Sequence, residues 1–154
     1  MEFFPILALK IFSDKSYISE GIQHDFMLCH FWGISLETPL EGPEYPWTRR
    51  FVCYEEIGRS FLEMVPLEEA DLAIMPINWL NIRGNTWRTI GRNKVAKELA
   101  IKFAEKAEKA GKKVVVFFAG DGSDEKIPIK NAIVFRESLY RSRKKLSDFA
   151  IFCL

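Results

Sequence analysis

The densest group of reactive side chains in this sequence is Gly120-Asp121-Gly122-Ser123-Asp124, in which two carboxylates and a hydroxyl fall within five residues. Gly120 permits close backbone approach to a ligand. Asp121, Ser123 and Asp124 could hydrogen-bond a sugar or support a phosphate. The same residue types build ordinary turns, and the run has the spacing of neither a phosphate loop nor a dinucleotide fingerprint.

A second group begins at Arg136. The segment Arg136-Glu137-Ser138-Leu139-Tyr140-Arg141-Ser142-Arg143-Lys144-Lys145 holds five basic side chains directly after an apolar run. A guanidinium there could take a phosphate or carboxylate bidentately, or the stretch could be a solvated basic face. Arg136 and Ser138 lie nearest the apolar run. Asn78-Trp79 is a third candidate, because it follows another apolar run and an indole can stack on a sugar ring; Trp47 and Trp87 also fall near loops. Such tryptophans equally cap a core edge.

The two histidines, His24 and His30, are six residues apart and lack the spacing of a metal site. His30 beside Phe31-Trp32 reads as a packed histidine, with general-base chemistry as the alternative. Cys29, Cys53 and Cys153 form no CxxC pair, so they read as free thiols rather than as a disulfide or zinc framework. No metal and no cofactor is indicated.

These groups need elements to position them. Asp71-Leu72-Ala73-Ile74-Met75-Pro76-Ile77 is a continuous apolar run of the kind found in parallel strands covered on both faces. After a loop from Asn78 to Asn85, Val95, Leu99, Phe103 and Ala107, flanked by Ala96, Ala100 and Ala104, mark one stripe of a long helix. Gly111 suits the left-handed position that ends it. Val114-Val115-Val116-Phe117-Phe118 reads as a central strand and Ala132-Ile133-Val134-Phe135 as a further one. A strand–helix–strand unit therefore spans Asp71 to Gly120.

Upstream, Ile6–Phe12 reads as a buried first strand and Phe26–Trp32 as another strand. Pro39, Gly42, Pro43 and Pro46 mark a loop, and Arg50–Met64 has the spacing of an amphipathic helix closed by Pro66. The expectation is one α/β domain over 1–154. It is Rossmann-like and three-layered with a mostly parallel sheet: opening strands and a Pro-rich loop occupy 1–48 and the core 50–145. Open α/β sheets bind ligands outside the carboxyl ends of their strands, which selects the loops at Asn78, Gly120 and Arg136.

With 154 residues, 48% hydrophobic and 28% charged, the chain falls in the globular class and not among disordered or coiled-coil sequences. A net charge of +1 provides no global field for nucleic acid. The apolar opening is too short to span a bilayer. A cytoplasmic protein with no transmembrane segment is expected. The apolar ending Phe149–Leu154 reads as a chain cut within a larger protein and prone to self-association.

Pro66-Leu67-Glu68-Glu69-Ala70-Asp71-Leu72-Ala73-Ile74-Met75-Pro76 resembles the "-EEAD-hydrophobic-P" segment of exostosin-like glycosyltransferases. Lys112–Asp121 is similar to that family's strand leading into an Asp-Gly turn, and Ile133–Tyr140 to its next strand and loop. The resemblance covers roughly residues 50–145. It implies the amino-terminal, acceptor-side half of a GT-B enzyme of hexosyltransferase type, acting in polysaccharide biosynthesis, with a nucleotide sugar and a glycan acceptor as substrates. A second α/β domain would hold the donor, and this half would be inactive without it. Under that reading Asp121 and Asp124 orient the acceptor as the catalytic pair. Asn78, Trp79, Gly120, Ser123, Arg136 and Ser138 contact substrate, with Arg136 reaching towards the interdomain cleft. The alternative is a non-catalytic receiver-like or sugar-sensing α/β module, for which Ser13-Asp14 and Asp121 provide a partial acidic set. A small, self-contained nucleotide-binding enzyme is a third reading, weakened by the lack of a phosphate loop.

Overall fold

The computed structural model describes residues 8–33, 57–83, 90–119, 125–138, 142 and 145–150. Six strands form one sheet: β1 (Leu9–Phe12), β2 (Leu62–Met64), β3 (Leu72–Ile74), β4 (Val114–Phe118), β5 (Ala132–Arg136) and β6 (Asp148–Ala150). Their order is β2-β1-β3-β4-β5-β6 and every neighbouring pair is parallel. Among the described residues, α-helical segments accompany them at α1 (Cys29–Trp32), α2 (Leu80–Arg83) and α3 (Ile90–Lys109), with residues 57–61 also helical. The result is the expected Rossmann-like α/β domain.

The expected strand–helix–strand unit is present as β3, α3 and β4. Ala96, Ala100, Phe103, Ala104 and Ala107 of α3 are buried against Val114, Val116 and Phe118 of β4 and Val134 of β5. Four alanines on that stripe let the helix lie close to the sheet while Phe103 fills the space between them. Val95, read from the sequence as part of the stripe, is 49% exposed, because the buried positions recur from Ala96. The helix ends as Gly111 predicts. At φ +70° the glycine lets its own N–H reach the Glu108 carbonyl and the Lys112 N–H reach the Ala107 carbonyl, both at 2.9 Å.

On the opposite face Ile11, Leu28, Ile74 and Val115 form a second core, joined by Phe31, Trp32, Leu62 and Leu72. Here the structure corrects two expectations. Phe26–Trp32 is not a strand but a 3-10 turn, Phe26–Leu28, running into α1. The Asp25 carboxylate accepts from the Met27 N–H at 2.9 Å, and this local cap starts a helical turn in a stretch whose apolar content alone suits a strand. The helix expected to reach Met64 gives way earlier: residues 57–61 are helical, whereas Leu62–Met64 pairs with Leu9–Ile11 as edge strand β2. Residues 51–56 lie outside the described residues, as does the Pro-rich loop.

The sheet also extends beyond the expected 50–145 core, taking in β1 before it and β6 after it. Phe149, at the start of the apolar ending, sits in β6, stacked 5.5 Å from Phe135. No helix among the described residues is long and apolar enough to cross a membrane.

The segment that carries the family resemblance has a visible structural role. Leu67 and Ala70 are buried beneath a turn closed by Glu69 N–H on the Pro66 carbonyl at 3.0 Å, while Glu68 and Glu69 face solvent. Asp71 accepts from the Lys10 N–H at 3.0 Å and so ties the start of β3 to β1. Lys112, just after α3, donates to the Ala70 carbonyl at 2.6 Å. Together these bonds set the register at the amino edge of the sheet.

Candidate functional site

In the order β2-β1-β3-β4, the chain leaves β1 towards one side and β3 towards the other, so the carboxyl ends of β1 and β3 flank the switch point where such sheets hold ligands. The loop following β1 occupies this place. Ser13 Oγ donates to the Ile74 carbonyl at 2.8 Å, and the Asp25 N–H donates to the Pro76 carbonyl at 2.7 Å, which fastens both ends of the loop to β3.

Three titratable groups on the loop have perturbed proton affinity. Burial pushes the Asp14 carboxyl up, but the Ser16 hydroxyl and amide, with Lys106 Nζ at 3.7 Å, outweigh it and leave the group below its ordinary value. Burial raises Asp25, which is 3% exposed, against the opposing pull of the Met27 and Asn78 donors. His24 is lowered, chiefly by burial and further by the charge of Lys15, against a bond to the Gly33 backbone. Its ring meets Trp32 edge-on at 5.6 Å, and Lys15 Nζ lies 5.5 Å from the same indole. The edge thus offers a largely neutral imidazole, an indole and an ammonium side by side.

Of the residues expected to form a site, Asn78, Trp79, Arg136 and Ser138 are described; Gly120, Asp121, Ser123 and Asp124 lie outside the described residues. Asn78 stands at the switch point, where its side chain acts as a peg. Oδ1 accepts from the Leu80 and Ala119 N–H groups, both at 3.1 Å, and Nδ2 donates to Asp25 Oδ2 at 3.0 Å. Through Ala119 it fixes the exit of β4, immediately before Gly120.

Trp79 is 1% exposed, and its Nε1 donates to Glu125 Oε1 at 2.9 Å, so its indole is a core element with no face open for stacking. Arg136 is likewise turned inward. Its Nη2 donates to the Glu125 carbonyl at 2.8 Å, its Nε lies 3.7 Å from Asp148 Oδ2, and its guanidinium carbon is 5.3 Å from the centre of the Phe118 ring. Alternation explains this: Ala132, Val134 and Arg136 all point to the α3 face. Ser138 is half-buried just beyond β5. Glu125 therefore joins Trp79 to Arg136, while Asn78 belongs to a separate cluster with Asp25.

Sequence reasoning weighed His24 only as a metal ligand and passed over Asp25, Glu125 and Asp148. Asp25 precedes a helical turn and could have been found as a cap; the Glu125 bond to Trp79 and the Asp148 pairing with Arg136 span 46 and 12 positions, and the local sign of Asp148 is the turn it closes with Lys145. Three described clefts lie away from the switch point. One of about 640 Å3 runs along α3 beside Tyr17 and Lys106, one of about 340 Å3 lies at the amino ends of β4 and β5, and one of about 250 Å3 holds Arg136 and Asp148. Among the described residues no group of three or more His, Cys, Asp or Glu is placed to hold a metal ion. Compared with known proteins, the chain matches no family model, no curated protein and no solved structure.

Proposed function

We propose that this chain is the acceptor-side half of an exostosin-like glycosyltransferase, which takes part in transferring a sugar from a nucleotide donor to a glycan and works with a second α/β domain that binds the donor. The observation that carries the reading is the placing of the family-like segment. Pro66–Pro76 supplies the turn into β3 and delivers its end to the switch point, beside the loop bearing Lys15 and His24 and next to Trp32 of α1. An indole with a neutral imidazole and an ammonium nearby suits hydroxyl-rich ligands: the ring packs on sugar C–H groups and the imidazole accepts a hydroxyl proton. Asp121 and Asp124 remain the candidate acceptor-orienting pair; in sequence they follow Ala119, whose N–H Asn78 holds.

Calorimetric titration with oligosaccharides, nucleotide sugars and free nucleotides tests the proposal. Binding of oligosaccharide with no response to nucleotides is expected. Tight binding of a nucleotide sugar by this chain alone would overturn the division of labour.

The strand order favours one rival, because 2-1-3-4-5 is also the order of flavodoxin-like and receiver domains. A receiver needs a phosphorylatable Asp at the end of β3, and here that end reads Met75-Pro76-Ile77-Asn78. The non-catalytic alternative is thereby narrowed to a sugar-sensing module. Oligosaccharide binding without transfer activity, even when the donor-binding half is supplied, would favour it.

A further inference from the structure

The cleft beside β5 and β6 has a built polar floor. Arg136 and Asp148 are each 3% exposed, and both line a space of about 250 Å3 whose rim carries Lys130, Lys145 and Ser147. The guanidinium is held from three directions, by the Glu125 carbonyl, the Phe118 ring and the Asp148 carboxylate. The Nε to Oδ2 separation is 3.7 Å, and the same carboxylate oxygen accepts from the Lys145 N–H at 3.4 Å. Among the described residues lining the cleft, Asp148 is the single acid against Arg136, Lys130 and Lys145, which leaves a local excess of positive charge.

We infer that this cleft is a binding site for a small organic anion bearing one phosphate or carboxylate group. A guanidinium already desolvated and fixed incurs little further ordering cost when an anion arrives, and two exposed ammonium groups at the rim close over it with charge-assisted bonds. The volume lies below the roughly 300–1,000 Å3 of pockets for drug-sized ligands, which suits a small anion. The site lies on the α3 face of the sheet and does not depend on the transferase reading, because Ile127, Ile129 and Lys130 of the segment between β4 and β5 line it, whereas Lys15, His24 and Trp32, on which that reading rests, do not.

Amide-resolved NMR titrations with inorganic phosphate and with acetate test it. Saturable shifts confined to residues 129–136 and 145–148 are expected. A response to phosphate alone identifies a phosphorylated ligand, and a response to both identifies a general anion site. Since Arg136 is buried and its loss could unfold the chain, the variant of choice is Lys130→Ala with Lys145→Ala, both exposed. It should keep the fold and bind about tenfold more weakly. Lys102→Ala with Lys109→Ala removes the same charge from α3 and should leave binding unchanged. Absence of saturable shifts with either anion, or equal weakening in both double variants, would overturn the inference.

Discussion

Asn78 Nδ2 donates to Asp25 Oδ2 at 3.0 Å, and this bond joins the exit of β3 to a loop 53 positions earlier in the chain. Because the same amide oxygen accepts from Leu80 and Ala119, one side chain ties together the ends of β3 and β4 and the loop after β1. Asn78→Ala leaves the largely buried Asp25 carboxylate one donor short and the half-buried Ala119 amide without its acceptor; water can replace the bond to the exposed Leu80 amide. A loss of about 2–4 kcal/mol in urea unfolding is expected. Asn78→Asp should be worse near neutral pH, since it sets two carboxylates against one another, and should recover on acidification.

The loop after β1 should give the stability a pH dependence with two opposed parts. Burial, opposed by the Met27 and Asn78 donors, raises Asp25 above its ordinary 3.8, so the folded chain holds that proton more tightly than the unfolded one. Its contribution is full below 3.8 and is lost as pH rises through the folded value. Burial, reinforced by Lys15 and opposed by Gly33, lowers His24 from 6.5. That contribution is present above 6.5 and is lost as pH falls through the folded value. Urea unfolding from about pH 4 to pH 8 should show Asp25→Asn removing the first dependence and His24→Gln the second. Parallel curves for wild type and both variants would contradict the assignments.

Gly58 faces His30 so closely that an added Cβ would lie 3.0 Å from the imidazole ring. His30 is 3% exposed, and its ring packs against Phe31 at 4.1 Å between centroids. In a helical segment Gly→Ala ordinarily gains up to about 1 kcal/mol, but here overpacking should reverse the sign and cost about 1–3 kcal/mol. Gly58→Ala placed on His30→Ala should recover the ordinary helix gain. Additive effects in the thermal midpoints of this cycle would mean that the ring is not the obstacle.

The parts of the fold that were legible in the sequence are those set by local pattern. The valine-rich β4, the alanine stripe of α3 and Gly111 depend on periodicity and on one left-handed residue, and each lies where the pattern places it. Leu62-Glu63-Met64 and Phe26–Trp32 differ from expectation because a short segment with apolar residues does not reveal locally whether it will pair with a distant strand or follow an Asp cap. The site was harder still. Asn78 and Arg136 were identified as residues at strand ends, yet their side chains act through Asp25, Glu125 and Asp148, partners that no spacing rule connects to them. Trp79 shows the same limit: a tryptophan in a sequence loop is buried to 1% because Glu125 takes its N–H. Trp79→Phe should therefore lower stability and leave any sugar affinity unchanged.

Arg136 and Asp148 provide the sharpest test of how the β5–β6 edge is held. Removing one partner of a buried ion pair leaves an uncompensated charge, at a cost of about 3–5 kcal/mol, whereas replacing both by apolar residues of similar size costs far less. Arg136→Met should thus be strongly destabilising, because Asp148 stays buried and the Glu125 carbonyl loses its donor. Asp148→Leu should be similarly costly, since it leaves the guanidinium against Phe118 with no carboxylate. The double variant should recover much of either loss in denaturant unfolding, although the Glu125 bond stays broken. If the two single losses simply add, charges 3.7 Å apart would be uncoupled, and β6 would be held by its pairing with β5 and the Phe135–Phe149 stack alone.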